Sequence, residues 1–327
     1  MTAMNGTTPT MRYSTRRWLV ILAVGAVACS SPPRGQTYSN PDQAVDAFVT
    51  SLRNNDLAGL QTTFGKGSER LFRSPDSVAD RNLRGDFLKL YDVKHELSTR
   101  EDGSKVLVVG NDAWPLPIPL VKDDKGWAFD TEAGADEIVN RRIGRNELLT
   151  IQTVLAIGDA QHDYYRVDHN GDKVFEYAQK FRSTPGQRDG LYWRVNPGEP
   201  PSPLGALVAD AAEEGYPASS TSLHGYKYRL LTSQGPAAAG GAYDYMVRKS
   251  QIGGFAVLAY PAEYGESGIM TFITNHDGVV YQRDFGKDTK DQALLIKSFN
   301  PDKDWTRVAS SDMQPTVVAE SDDEGGN

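Results

Sequence analysis

The densest group of side chains able to do chemistry is Arg141, Arg142 and Arg145, followed along the chain by Glu147, Asp159 and His162. Guanidinium forks match carboxylate and phosphate geometry, so such a cluster is a candidate anion site. Residues 142 and 145 are three apart and lie together on one helical face. The same arginines suit a structural task, pairing with Asp130, Asp136 and Glu137 to brace a domain junction. No glycine-rich phosphate loop accompanies them, so bracing is the expected role.

Asp168, Asn170 and Asp172 place three oxygen side chains at alternate positions, with Glu176 beyond. Calcium loops use that alternation to aim oxygens inward from a tight turn. Here Gly171 precedes Asp172 rather than following it, and Gln179 stands where the distal glutamate belongs. A turn capped by its own side chains fits better, and no metal is expected. The five histidines include no pair at helical metal spacing. His162 beside Asp163 is a base with its orienter only if a nucleophile approaches in the fold, which is the basis of an alternative reading as a periplasmic hydrolase. Tyr192, Trp193, Tyr216, Tyr226 and Tyr228 are candidates for a ligand groove, the basis of a second alternative, a carbohydrate- or peptide-binding protein. Their competing role is to cap a sheet and pack on a helix. The glycine-rich stretch from Gly235 to Gly241 lacks the lysine and hydroxyl of a phosphate loop and reads as a hairpin loop. No cofactor motif is present.

Cys29 is the only cysteine. It ends the apolar run Trp18 to Ala28, with Arg12, Arg16 and Arg17 before it and Ser30, Ser31, Pro32 and Pro33 after it. A basic start, a short apolar stretch and small residues before the cut describe an export signal, and a cysteine directly after them reads as the lipid-bearing residue of a bacterial lipoprotein. The run is about half of the roughly 20 residues a spanning helix needs. The expected location is the periplasmic face of the cell envelope, and the outer membrane where one exists, because Ser30 stands where an aspartate would favour inner-membrane retention. The chain carries a formal charge of −8 before three arginines leave with the signal. That acidity disfavours nucleic acid and anionic lipid surfaces as electrostatic partners. The expected partners are the membrane, through the lipid, and an envelope protein.

The elements that must position these groups follow from spacing. Residues 1–28 are the signal and 29–37 a tether. Asn40 and Pro41 open a helix whose apolar face is Ala44, Val45, Phe48, Val49 and Leu52. Leu57, Leu60 and Phe64 mark a second helix, and residues 76–91 a third, with Leu83, Phe87, Leu88 and Tyr91 inward. Strands are expected at His95–Ser98, Lys105–Val109, Leu116–Val121 and Gly126–Asp130. Helices followed by an antiparallel meander make an α+β domain over 38–133, in an order that resembles cone-shaped folds of the nuclear-transport-factor-two type. A long helix is expected from about Asp136 to Tyr165, then a long loop to residue 222. Five strands follow, near Gly225–Thr232, Tyr243–Arg248, Phe255–Tyr260, Ile269–Thr274 and Val279–Arg283. This second α+β domain covers 136–308. The tail, 309–327, is acidic and is expected to be disordered.

Two resemblances rest on local strings. Asn146-Glu147-Leu148-Leu149-Thr150-Ile151-Gln152-Thr153, Gly225-Tyr226-Lys227-Tyr228 and the run Phe272 to Val280 resemble a type II secretion pseudopilin or type IV pilin head. The resemblance implies a long helix packed on an antiparallel sheet. Trp114-Pro115-Leu116-Pro117-Ile118-Pro119-Leu120, Arg141-Arg142-Ile143-Gly144-Arg145-Asn146-Glu147-Leu148, Asp189-Gly190-Leu191-Tyr192-Trp193, Ser202-Pro203-Leu204-Gly205, Gln234-Gly235-Pro236 and Gly253-Gly254-Phe255 resemble a bacterial family known as domain of unknown function 2950. That resemblance covers about 38–308. It implies an exported, often lipid-anchored protein, and it carries over no catalytic residues. The leading expectation is a non-enzymatic binding or assembly module.

Overall fold

The computed structural model describes residues 35–217, 220 and 222–309. The signal, Cys29, most of the tether and the acidic tail from 310 onward lie outside the described residues.

Aspartate and asparagine caps start the principal helices. Asn40 Oδ1 accepts the Gln43 N–H at 2.9 Å ahead of α1 (Pro41–Arg53), whose buried face includes Ala44, Val45, Phe48, Val49 and Leu52. Asp56 caps α2 (Leu57–Phe64), and Asp76 caps α4 (Ser77–Val93). A four-residue helix, α3 (Glu69–Phe72), lies between them. Leu57 is exposed, and on α4 only Tyr91 of the four expected inward residues is fully buried; Leu83, Phe87 and Leu88 are half-buried.

The first sheet contains β1 (His95–Thr99), β2 (Lys105–Val109), β3 (Trp114–Pro115), β4 (Leu120–Asp123) and β5 (Gly126–Phe129). All its pairings are antiparallel, in the order β1-β2-β4-β5 with β3 also on β2. The expected strand from Leu116 starts only at Leu120. Pro117 and Pro119 remove two amide donors, so the segment before Leu120 cannot continue the ladder. Aromatic rings fill this core: Phe64 stacks on Phe129 at 4.4 Å, and Phe48 meets Phe64 edge-on at 5.1 Å.

Helix α5 (Thr131–Tyr165) runs 35 residues, about 52 Å at 1.5 Å per residue. It begins five residues before the expected Asp136, because Asp130 acts as its cap, with Ala133 N–H 3.4 Å from Asp130 Oδ1. Gly144 sits within it in open space, and the helix is continuous there. The expected loop after it contains α6 (Gly205–Glu213).

The second sheet is wholly antiparallel, in the order β15-β14-β13-β12-β7-β6. Its strands are β6 (Ser222–Leu223), β7 (Tyr226–Leu231), β12 (Ala256–Pro261), β13 (Met270–Asn275), β14 (Tyr281–Asp284) and β15 (Thr306–Arg307). The expected strand Tyr243–Arg248 does not join it. That stretch breaks into two short pairings, β8 (Ser233–Gln234) with β9 (Tyr243–Asp244), and β10 (Met246–Val247) with β11 (Ser250–Gln251), around Arg248 at φ 60°. Strand β12 is buried along its whole length. Its alternate side chains serve opposite faces: Val257 and Ala259 pack with Ile151, Val154 and Ile157 of α5, while Ala256 and Leu258 pack with Ala293 of α7 (Thr289–Leu295) and with Phe299. Burial on both faces explains the unbroken apolar run from Phe255 to Tyr260.

The architecture is thus mixed helix and antiparallel sheet. Among the described residues no helix is long and apolar enough to cross a membrane.

Candidate functional site

A cleft of about 340 Å³ opens between α1, α3, α4, α5 and the segment 114–117. Leu52, Leu83, Phe87, Trp114 and Ile138 give it an apolar wall. The half-buried state of Leu83 and Phe87 follows directly, since both border this space. Arg84, Arg141, Arg142 and Arg145 also line it, against one carboxylate, Asp80.

The four arginines differ in how far the protein satisfies them. Arg141 Nε donates to Glu137 Oε1 at 2.6 Å, and its guanidinium lies 5.2 Å from the centre of the Trp114 ring. Arg84 Nη1 donates to the Phe72 carbonyl at 2.9 Å. Arg142 is 5% exposed. Its Nη2 donates to the carbonyls of Arg70 at 2.5 Å and Leu71 at 3.2 Å, tying α5 to α3. Its Nη1 is buried without a hydrogen-bond partner; the nearest carboxylate oxygen is Glu266 Oε2 at 3.6 Å. Burial lowers the Arg142 pKa, with Asp80 and then Glu266 acting the other way. Asp80 is itself buried and accepts the amide and hydroxyl of Ser74 at 2.6 and 2.8 Å. Arg145 stands on the accessible rim with no hydrogen bond among the described residues. Enough protein surrounds it that desolvation, followed by repulsion from Arg142, lowers its pKa.

The expected bracing is therefore realised only in part. Glu137 does pair with Arg141, but Asp136 pairs with Arg70 at 2.9 Å and Asp130 caps α5. Arg142 braces through backbone carbonyls instead of the expected carboxylates.

The rest of the predicted cluster is dispersed along α5. Glu147 Oε1 accepts the amides of Ile269 and Met270 at 2.8 and 2.9 Å, pinning the start of β13 to the helix. Asp159 is exposed, about 21 Å along the helix from Arg145. His162 is also exposed and meets Phe255 edge-on at 5.4 Å. Asp163 pairs with Arg166 at 2.6 Å rather than orienting His162.

In the 168–176 turn, Asp168 accepts the amides of Gly171 at 2.7 Å, Lys173 at 2.9 Å and Asn170 at 3.3 Å. Those amides, Lys173 foremost, hold its carboxyl below the usual range. Asp172 accepts the Val174 amide at 2.8 Å, and Asn170 Nδ2 donates to Asp172 and Glu176. The oxygens thus face the backbone of their own turn. Among the described residues, no group of three His, Cys, Asp or Glu side chains is placed to hold a metal.

Three of the five aromatic candidates are spoken for. Tyr216 donates to Asp76 Oδ2 at 2.6 Å, Tyr226 to the Met270 carbonyl at 2.9 Å, and Tyr228 to Thr150 Oγ1 at 3.4 Å. Burial raises the pKa of all three hydroxyls. Asp76 also accepts the Gly225 amide at 2.8 Å, so one buried carboxylate caps α4 and holds two distant segments. Nothing local in the sequence marks that hub, nor Arg84 and Trp114 as partners of the α5 arginines.

A family model described as a protein of unknown function (DUF2950) matches residues 35–308. No curated protein matches the chain, and no solved structure does.

Proposed function

Since the chain belongs to that family of proteins of unknown function, we propose from its geometry that it is a non-enzymatic binding module whose α1–α4–α5 cleft takes an apolar ligand ending in a carboxylate or phosphate. The observation that carries this reading is Arg145, an exposed guanidinium on the rim of an apolar cleft that makes no hydrogen bond to the protein among the described residues. Free donors beside an apolar wall favour an acceptor brought by a ligand. Arg142, buried and facing Glu266 at 3.6 Å, adds positive charge behind it. The apolar wall suits a hydrocarbon body, and the volume falls in the usual range for small-ligand sites.

The mature protein is exported and attached through a lipid on Cys29 to the periplasmic side of the envelope, on the outer membrane where there is one. The signal anatomy of residues 12–33 supports this location. Cys29→Ser should move the protein from the washed membrane fraction to the soluble fraction; retention in the membrane would refute the anchor. The chain is read as two units, 38–133 and 136–308, with the second arranged like a pilin head. Support comes from the separate apolar clusters and from the second half of α5 lying on β12 and β13. An envelope protein is the macromolecular partner this location offers.

The cleft is tested by titrating the mature protein with dodecanoate, dodecyl phosphate and dodecanol. The anions should bind about ten-fold or more tightly than the alcohol, in line with a charge-assisted hydrogen bond. Arg145→Ala should weaken the anions and leave the alcohol unchanged. Equal affinity for all three, or none for the anions, would overturn the reading.

A further inference from the structure

A second cleft, of about 600 Å³, lies between residues 182 and 199 and shares no residue with the first. The chain as a whole carries a formal charge of −8, yet Lys180 to Glu199 holds four cations and two carboxylates. Lys180 is taken by Asp189, whose carboxylate also accepts the amide and hydroxyl of Thr184 at 2.7 and 2.8 Å. The Lys180 hydrogen bond leads these contacts in pushing the Asp189 pKa down to about 2. That pair closes the loop and leaves three arginines.

None of the three donates a side-chain hydrogen bond to protein among the described residues. Arg182 lies over the Tyr192 ring at 5.2 Å and Arg188 over the Trp193 ring at 5.4 Å. Arg188 has one loose ion pair, Glu199 at 3.8 Å, and Arg194 is exposed without a partner. Stacking on a ring positions a guanidinium while leaving its N–H fork free for a planar anion. The frame is set by backbone bonds: Ser183 N–H to the Tyr192 carbonyl and Tyr192 N–H to the Phe181 carbonyl, both 2.8 Å. A tight turn at Thr184–Gln187, with Gly186 at φ 80°, closes one end. The Trp193 indole N–H is buried and has no acceptor. The Ser183 and Thr184 hydroxyls are engaged with Gly190 and Asp189, while the carboxamide of Gln187 and the side-chain carbonyl of Asn196 add neutral polar groups to the lining.

We propose that this cleft binds an acidic saccharide, whose carboxylate or phosphate groups sit on Arg182, Arg188 and Arg194 and whose hydroxyls meet the neutral polar lining. Three guanidinium forks without a hydrogen bond to protein call for anionic groups, and the Gln187 and Asn196 carboxamides call for a body that both donates and accepts. A purely apolar acid fits the first cleft better than this one, so the two sites select differently among anions.

Calorimetric titration of the mature protein with trigalacturonate, glucose 6-phosphate, maltotriose and inorganic phosphate tests this. Binding of trigalacturonate identifies a carboxylate-bearing sugar, and binding of glucose 6-phosphate a phosphate-bearing one; either supports the site. Maltotriose should not bind. The Arg188→Ala/Arg194→Ala double variant should lose about ten-fold or more in affinity with an unchanged melting temperature. Arg194→Gln alone, at an exposed position, should weaken binding in the same direction should the double variant prove unstable. Failure of both acidic sugars to bind, maltotriose binding as tightly as trigalacturonate, inorganic phosphate binding as tightly as glucose 6-phosphate, or full affinity in the variants would each overturn the proposal. Dodecanoate should not compete, so a failure here is distinguishable from a failure of the first cleft.

Discussion

The two sheets are both antiparallel, but they are covered differently. In the second, α5 lies on one face and α7 on the other, and β12 is buried from end to end. In the first, β1 is exposed apart from a half-buried Leu97, and the helices that cover the other strands stand apart enough to leave Leu83, Phe87 and Leu88 half-buried. A sheet closed from both sides uses all its apolar surface internally. One closed by separated helices keeps apolar surface open, and here arginines border the opening.

That contrast can be broken by substitution. Phe272→Ala, at a fully buried ring between α5 and the second sheet, should cost about 3–5 kcal/mol in urea unfolding. Arg142→Ala should cost about 2–3 kcal/mol, because it removes two hydrogen bonds to α3 carbonyls and an ion-pair partner of Glu266. Leu83→Ala, on the cleft wall, should cost only about 1 kcal/mol, and Arg145→Ala about 0.5 kcal/mol or less, since neither is fully packed. If Leu83→Ala destabilised as much as Phe272→Ala, the first half would be as tightly closed as the second and the cleft would have no room for a ligand. If Arg145→Ala cost as much as Arg142→Ala, both arginines would be braces and the rim would lose its free cation.

What the sequence discloses follows the same division. Helix α1 was legible because its cap, its proline and its apolar spacing agree, and β12 because its short apolar run has the length of a strand; its burial on both faces emerged only with the packing. Helix α6 was not: none of its residues is fully buried, so no apolar stripe distinguishes it from loop. Helix α7 has seven residues, too few to display a period. Residues 116–119 looked like the start of a strand by hydrophobicity, and the missing amides of Pro117 and Pro119 decided otherwise. In the cleft, Arg142 and Arg145 announced themselves by type and spacing. Their companions Arg84 and Trp114 come from other elements, and Arg142's partners are backbone carbonyls, which any residue supplies.

The length of α5 has a consequence for how the chain can be inherited. Its first turns bury Gly134 and Ala135 against the segment at Pro117, and its last turns bury Ile151, Val154, Ile157 and Tyr164 in the second core. A recombination point anywhere within Thr131–Tyr165 would hand one product a stub of helix and the other an apolar stripe without its cover. Each half thus depends for part of its cover on one continuous helix, and a cut within Thr131–Tyr165 should leave neither half with a complete core.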